Sequence, residues 1–229
     1  MRIDKDINKD NWGEIKDILP DITEIKSLNL SWLGLTEFPK MSHITINSYF
    51  GCSNNKITSF KGCPQIGGDF YCSNNKITSF NGCPQIKGDF YCSYNKIKSF
   101  KDCPEIGGDF KCNNNKITSF KGCPIINGIF NCNNNQLSSF KDCPQIKGDF
   151  YCWNNLITSF KDCPEIGGYF NSDFDIFDVV QEYSKEKKIS LIKAQVELYN
   201  KQDAELLEHI DKFPDLVAYI RLKELNKLL

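Results

Sequence analysis

The chain has 229 residues, with 28 Lys or Arg against 29 Asp or Glu and a formal net charge of −1. That balance argues against a strongly basic polyanion binder and a strongly acidic protein. No run of about 18 apolar residues occurs, so no transmembrane helix is expected, and the opening MRIDKDINKDNWGEIKD has no signal-peptide core.

Residues 1–49 read as an N-terminal cap. Asp10, Asn11 and Trp12 lead into GEIKDIL, where Ile15, Ile18 and Leu19 share one helical face and Pro20 ends the helix. Leu28, Leu30, Leu35, Phe38 and Pro39 then form a degenerate first repeat. Leu30 aligns with Cys52, Leu33 with Asn55, Leu35 with Ile57 and Phe38 with Phe60. Terminal repeats are atypical because they cover an open end.

Residues 50–171 hold six regular units and the start of a seventh. The pattern F-x-C-x-x-N-x-(I/L)-x-S-F-x-x-C-P-x-I-x-G recurs every 20 residues without an insertion, with Phe at 50, 70, 90, 110, 130 and 150. A fixed short period predicts a solenoid whose units pack only on their neighbours. In each unit a segment such as Asp69-Phe70-Tyr71-Cys72-Ser73 alternates polar and apolar, as a half-buried strand does. Phe70 and Cys72 point inward, and Asp69, Tyr71 and Ser73 point outward. Identical strands must then stack in parallel, about 4.8 Å apart. Asn75 turns the chain and bonds to backbone groups of the turn and the neighbouring coil. Ile77, Phe80, Cys83 and Ile86 face inward on the return path, and Pro84 and Gly88 supply turns.

Residues 172–229 contain no Cys, and their apolar period becomes helical. Ser172 or Asp173 can cap a first helix, Ser190 a second and Asp203 a third, while Pro214 fits the first turn of a fourth. This region reads as an α-helical cap or accessory domain, with Ile176, Val179 and Val180 covering the edge left by Phe170.

The repeat resembles a leucine-rich repeat. The family's L-x-x-L-x-L-x-x-N-x-L maps onto Gly67, Phe70, Cys72, Asn75 and Ile77, with Phe and Cys in place of Leu. The 20-residue length and the Pro resemble the short-repeat class of bacterial type III effectors. F-x-C-x-x-N with C-P looks closer still to arrays in tailed phages and large DNA viruses. Departures are the Gly at the first consensus Leu and Leu33 at the first Asn position. The resemblance implies an α/β solenoid: a right-handed, curved leucine-rich-repeat array with a parallel, concave β-sheet that binds ligands, an N-terminal cap and a small α-helical C-terminal region.

The twelve Cys fall in two columns, Cys52 to Cys152 and Cys63 to Cys163. C-x-x-C pairs and nearby His are missing, so metal and iron–sulfur sites are not expected and no cofactor is assigned. Both columns lie on the inward phase and read as small buried thiols. Without an export signal, a reducing, cytoplasmic setting is expected. The only His are His43 and His209, no Cys follows Cys163, and no acid–base pair stands apart from the repeats. An enzyme is therefore not expected.

The outward strand face carries the candidate site. Its central column includes Tyr71, Tyr91, Lys111 and Tyr151. The preceding column includes Asp69, Asp89, Asp109, Ile129 and Asp149, and the following columns add Tyr94 and Trp153. Exposed aromatics are frequent in binding hot spots, although Tyr also suits strands for its own sake. Ile129 and Trp153 break their columns, as contact residues do. Lys61, Lys101, Lys121, Lys141 and Lys161 form a separate column that could track phosphates, but Asp102, Asp142 and Asp162 follow it directly, which disfavours nucleic acid. The leading expectation is a non-enzymatic module that holds a protein partner on the sheet, with no membrane or small-molecule substrate. A viral origin would make that partner a host protein, plausibly a defence factor. A structural or assembly component of a virion or complex is the alternative, and an enzyme in the helical tail is a further one without support.

Overall fold

A computed structural model describes residues 1–8, 10–157, 162–164 and 166–172. The helices expected beyond Ser172 lie outside the described residues, as does His209.

One parallel sheet runs the length of the described chain. Its strands are β1 (Arg2–Ile7), β2 (Glu24–Asn29), β3 (Thr45–Gly51), β4 (Gln65–Ile66), β5 (Asp69–Tyr71), β6 (Phe90–Tyr91), β7 (Phe110–Lys111), β8 (Phe130–Asn131), β9 (Phe150–Tyr151) and β10 (Phe170–Asn171). The order is β1-β2-β3-β5-β6-β7-β8-β9-β10, with β4 beside β3. Phe50 pairs with Phe70, Phe70 with Phe90 and so on to Phe170, so the 20-residue period becomes the register. Backbone bonds extend the ladder past the short strands, with Cys72 N–H donating to Tyr91 O at 2.8 Å and Asn74 N–H to Ser93 O at 3.0 Å. On the return path Ile66, Ile86 and Ile106, then Ile126, Ile146 and Ile166, form a second line of parallel bridges.

The architecture is a β-solenoid. Among the described residues of the repeats the return path is turns and extended chain with no helix, which corrects the expected α/β alternation. A path of about 15 residues interrupted by a left-handed turn and Pro leaves no room for a stable helix. Among the described residues, helix is confined to α1 (Trp12–Ile15) and a 3₁₀ segment, Lys16–Asp21. Pro20 sits inside that segment rather than ending it. The three-residue period of a 3₁₀ helix aligns Leu19 with Ile22, both buried, and turns Ile18 outward, against expectation. Strand β1 was not anticipated. Its Ile3 and Ile7 pair with Ile25 and Leu28, while Arg2, Asp4 and Asp6 are exposed and charge the first edge against further pairing.

The core is two ladders of Phe. Phe70 and Phe90 stack at 5.4 Å with planes 5° apart, and Phe80 and Phe100 stack at 6.2 Å and 8°. The two ladders interlock edge to face, as at Phe80–Phe90, 6.1 Å and 63°. Burying each ring contributes about 1.5–3 kcal/mol, and each aromatic pair adds about 0.5–1.5 kcal/mol. The inner Cys column, Cys52 to Cys152, is buried as expected. The outer column is mixed: Cys63 and Cys163 are buried, while Cys83, Cys103, Cys123 and Cys143 are partly exposed.

Asparagine staples one coil to the next. Asn95 Nδ2 donates to the carbonyls of Cys72 and Cys92, both at 3.1 Å. Its Oδ1 accepts the Ile77 N–H at 3.0 Å. The same set recurs at Asn75, Asn115 and Asn135. In the first repeat Leu35 N–H donates to Asn55 Oδ1, which supports aligning Leu35 with Ile57.

Candidate partner-binding face

Each outward column has its own backbone role. Asp69 Oδ1 accepts the N–H of Asp89 one coil on, at 2.9 Å. Asp89 does the same for Asp109 at 2.8 Å, Asp109 for Ile129 at 2.8 Å and Asp149 for Tyr169 at 2.8 Å. These carboxylates therefore each spend one oxygen on the solenoid itself. The second oxygen of Asp89 accepts the Tyr91 hydroxyl at 3.1 Å, and that of Asp149 accepts the Tyr151 hydroxyl at 3.3 Å.

The tyrosines stack along the same face. Tyr71 and Tyr91 lie 4.5 Å apart with planes 7° from parallel, and Tyr49 extends the line to 5.0 Å from Tyr71. Lys111 closes it, its Nζ 4.9 Å from the Tyr91 ring centroid. Burial and then the neighbouring Asp89 push the Tyr91 hydroxyl well above its usual pKa. Burial and the Asp149 charge do the same to Tyr151. Farther along, Tyr151 and Tyr169 stand 5.9 Å apart and tilted. Trp153, 41% exposed, shares this face, and its backbone N–H donates to Asn133 Oδ1 at 2.9 Å.

Most of the expected site residues thus form one surface: Asp69, Tyr71, Asp89, Tyr91, Asp109 and Lys111 at one end, Ile129, Asp149, Tyr151 and Trp153 at the other. Tyr94 does not join them. It occupies a turn in the left-handed region, φ 56°, and is 54% exposed at the corner after the strand. Its column is Trp32, Asn54, Asn74, Tyr94, Asn114, Asn134 and Asn154, all left-handed.

Several exposed apolar residues were not anticipated. Trp32, 74% exposed, stands on the Tyr94 ridge and lines an open depression of about 440 Å³ with Asn8, Asp10, Asn29 and Ser31. Its alignment with Asn54 was the available signal. Tyr49 and Tyr169, at the two ends of the outward Asp column already legible in the sequence, extend the tyrosine line, whereas Ile125 and Leu156 are exposed on the return path. Both stand where other repeats carry a polar residue.

The inner cysteines are not activated as nucleophiles. Burial raises the pKa of Cys72, Cys92, Cys112 and Cys132 well above the usual value, which keeps them protonated. Among the described residues no group of His, Cys, Asp and Glu is arranged to hold a metal ion, and no helix is long and apolar enough to cross a membrane. His43 Nε2 lies 3.1 Å from the Leu19 carbonyl, joining the first repeat to the 3₁₀ segment. No protein-family model, curated protein or solved structure matches the chain.

Proposed function

We propose that the chain is a non-enzymatic protein-binding module that holds a partner on the outward face of its sheet. The observation that carries this reading is the continuous face itself. Stacked Tyr71 and Tyr91 and exposed Trp153 stand on a scaffold whose coils are pinned by repeated Asn and Asp side chains. A rigid aromatic surface loses little conformational entropy on binding, which is why such side chains dominate hot spots.

Four finer readings belong to the same proposal. Equivalent rings are 4.5 Å apart at Tyr71–Tyr91, 5.4 Å at Phe70–Phe90 and 6.2 Å at Phe80–Phe100. Coils that splay in this way place the sheet on the inner side of a curve, which supports a concave face. The short leucine-rich-repeat class rests on the F-x-C-x-x-N spacing. A phage or viral source, and with it a host protein as partner in the cytoplasm, rests on the same resemblance. The domain division at residues 49 and 171 follows the composition, and residues 172–229 serve as a cap or second contact.

Selection from a displayed random-peptide library on the full chain tests the reading. The comparison is a folded variant with Tyr71, Tyr91, Tyr151 and Trp153 all changed to Ala. Peptides enriched by the native chain and lost on the variant are expected. Peptides retained equally by both would move the interface off the sheet, and no enrichment at all would remove the module reading.

A further inference from the structure

The sheet face already holds one cation, and how it does so indicates what a partner would bring. Within the repeats Lys111 is the one basic residue in the outward columns, against Asp69, Asp89, Asp109 and Asp149. Its ammonium lies 4.9 Å from the Tyr91 centroid, within the range of a cation–π contact. Tyr71 stacks on the same ring at 4.5 Å. The Tyr91 hydroxyl donates to Asp89 Oδ2 at 3.1 Å, which adds electron density to the ring that the ammonium faces.

Three coils on, the same unit recurs. Tyr151 donates its hydroxyl to Asp149 Oδ2 at 3.3 Å, and Asp149 Oδ1 is held by the Tyr169 N–H at 2.8 Å, just as Asp89 Oδ1 is held by Asp109. The register neighbours of Tyr151 are Asn131 and Asn171, so neither adjacent strand supplies a lysine at that position. Trp153 adds an exposed indole on the same face, and Tyr169 stands 5.9 Å from Tyr151.

We propose that Asp149, Tyr151 and Trp153 form a receptor site for a cationic side chain, arginine or lysine, presented by a partner polypeptide. The inference rests on the protein-binding reading and specifies the chemistry of the partner. Two independent features support it: the acidic balance of the face, and the equivalent Asp89–Tyr91 unit that already takes the Lys111 ammonium. Arginine fits best, because its planar guanidinium can stack on an aromatic ring while bonding to a carboxylate. Release of Lys111 would open a second, equivalent site.

The test uses the full chain and a fluorescent Ser-Arg repeat peptide, with its citrulline counterpart as the neutral isostere. The arginine peptide is expected to bind, the citrulline peptide about tenfold more weakly, and the contrast to shrink as salt rises. Asp149→Asn keeps an acceptor for the Tyr169 N–H but removes the charge, and should weaken the arginine peptide about fivefold or more. Tyr151→Leu, checked for an unchanged melting curve, should do the same. Lys111→Met should tighten binding, and Lys121→Met, an equal change of charge in the separate lysine column, should not. Equal binding of both peptides, no binding of either, or binding unchanged by Asp149→Asn and Tyr151→Leu would each overturn the inference. If peptides selected from the library still depend on the sheet face in those cases, only the cation site fails. If none do, the protein-binding reading fails with it.

Discussion

The carboxylate of Asp69 fills the space where Gly88, one coil on, would carry a side chain. A Cβ on Gly88 would sit 2.2 Å from Asp69 Oδ1, the same oxygen that accepts the Asp89 N–H at 2.9 Å. Gly108 stands in this relation to Asp89, Gly128 to Asp109 and Gly168 to Asp149. Glycine is required here for close approach. Gly88→Ala should therefore cost about 2–4 kcal/mol, combining a lost charge-assisted bond with overpacking. Urea unfolding of Gly88→Ala, Asp69→Ala and the double variant checks this, and the double variant should lose less than the sum.

Asn95 closes three buried backbone groups at once. Asn95→Ala leaves the Ile77 N–H without its acceptor, while the Cys72 and Cys92 carbonyls keep bonds from Asn75 and Asn115, and should cost about 1–3 kcal/mol. Amide exchange at Ile77 should accelerate with it. A loss below about 1 kcal/mol would mean that water replaces the side chain at little cost.

Tyr94 holds a left-handed backbone that its neighbours Asn74 and Asn114 adopt more easily. Tyr94→Asn should raise stability by about 0.5–1 kcal/mol. Thermal melting decides the matter, and a fall in midpoint would show that the ring makes a stabilising contact at the corner. Trp32→Asn is expected to behave alike.

The thiols set an alkaline limit. Burial raises the folded-state pKa of the cysteines above the usual value of 9.0. Unfolded thiols then release protons that folded ones keep. The stabilisation is fully present below the unfolded pKa and is lost as pH rises above it toward the folded value. Each thiol can contribute up to about 1.4 kcal/mol per pH unit in that window. Unfolding free energy should be flat from pH 6 to 8 and fall steeply from pH 9 to 10. A flat profile through pH 10 would contradict the burial. Raised tyrosines such as Tyr91 act with the same sign.

Cysteine labelling should divide the two columns. Cys83, Cys103, Cys123 and Cys143 are partly exposed, whereas Cys72, Cys92, Cys112 and Cys132 are buried. Burial raises the thiol pKa in both columns, so a neutral alkylating reagent under native conditions should modify the first group slowly, yet faster than the second. Equal rates in both columns would refute the division.

An unbroken 20-residue period decides much by itself. Equivalent residues must superpose when identical units stack, so the parallel sheet, the Phe50 and Phe60 columns, the inward Cys72 and the Asn75 staple were all legible. Periodicity names columns without saying what each side chain touches in the next coil. Asp69 reads as a surface charge until the chain brings the Asp89 N–H to it, and Asp102 reads as a partner for Lys101 until its φ of 60° shows a turn residue. Tyr94 was assigned to the strand face because its column follows the strand directly, and the sequence does not show that the chain turns there. Strand β1 lay in a segment whose apolar residues are too few to announce it. The sequence alone therefore determined the coil and its core, because repetition and burial are local and additive. Tertiary structure decided the Asp–Gly contact, the Lys111–Tyr91 pair and the separation of Tyr94 from Trp153, because those depend on distances between coils that no single repeat contains.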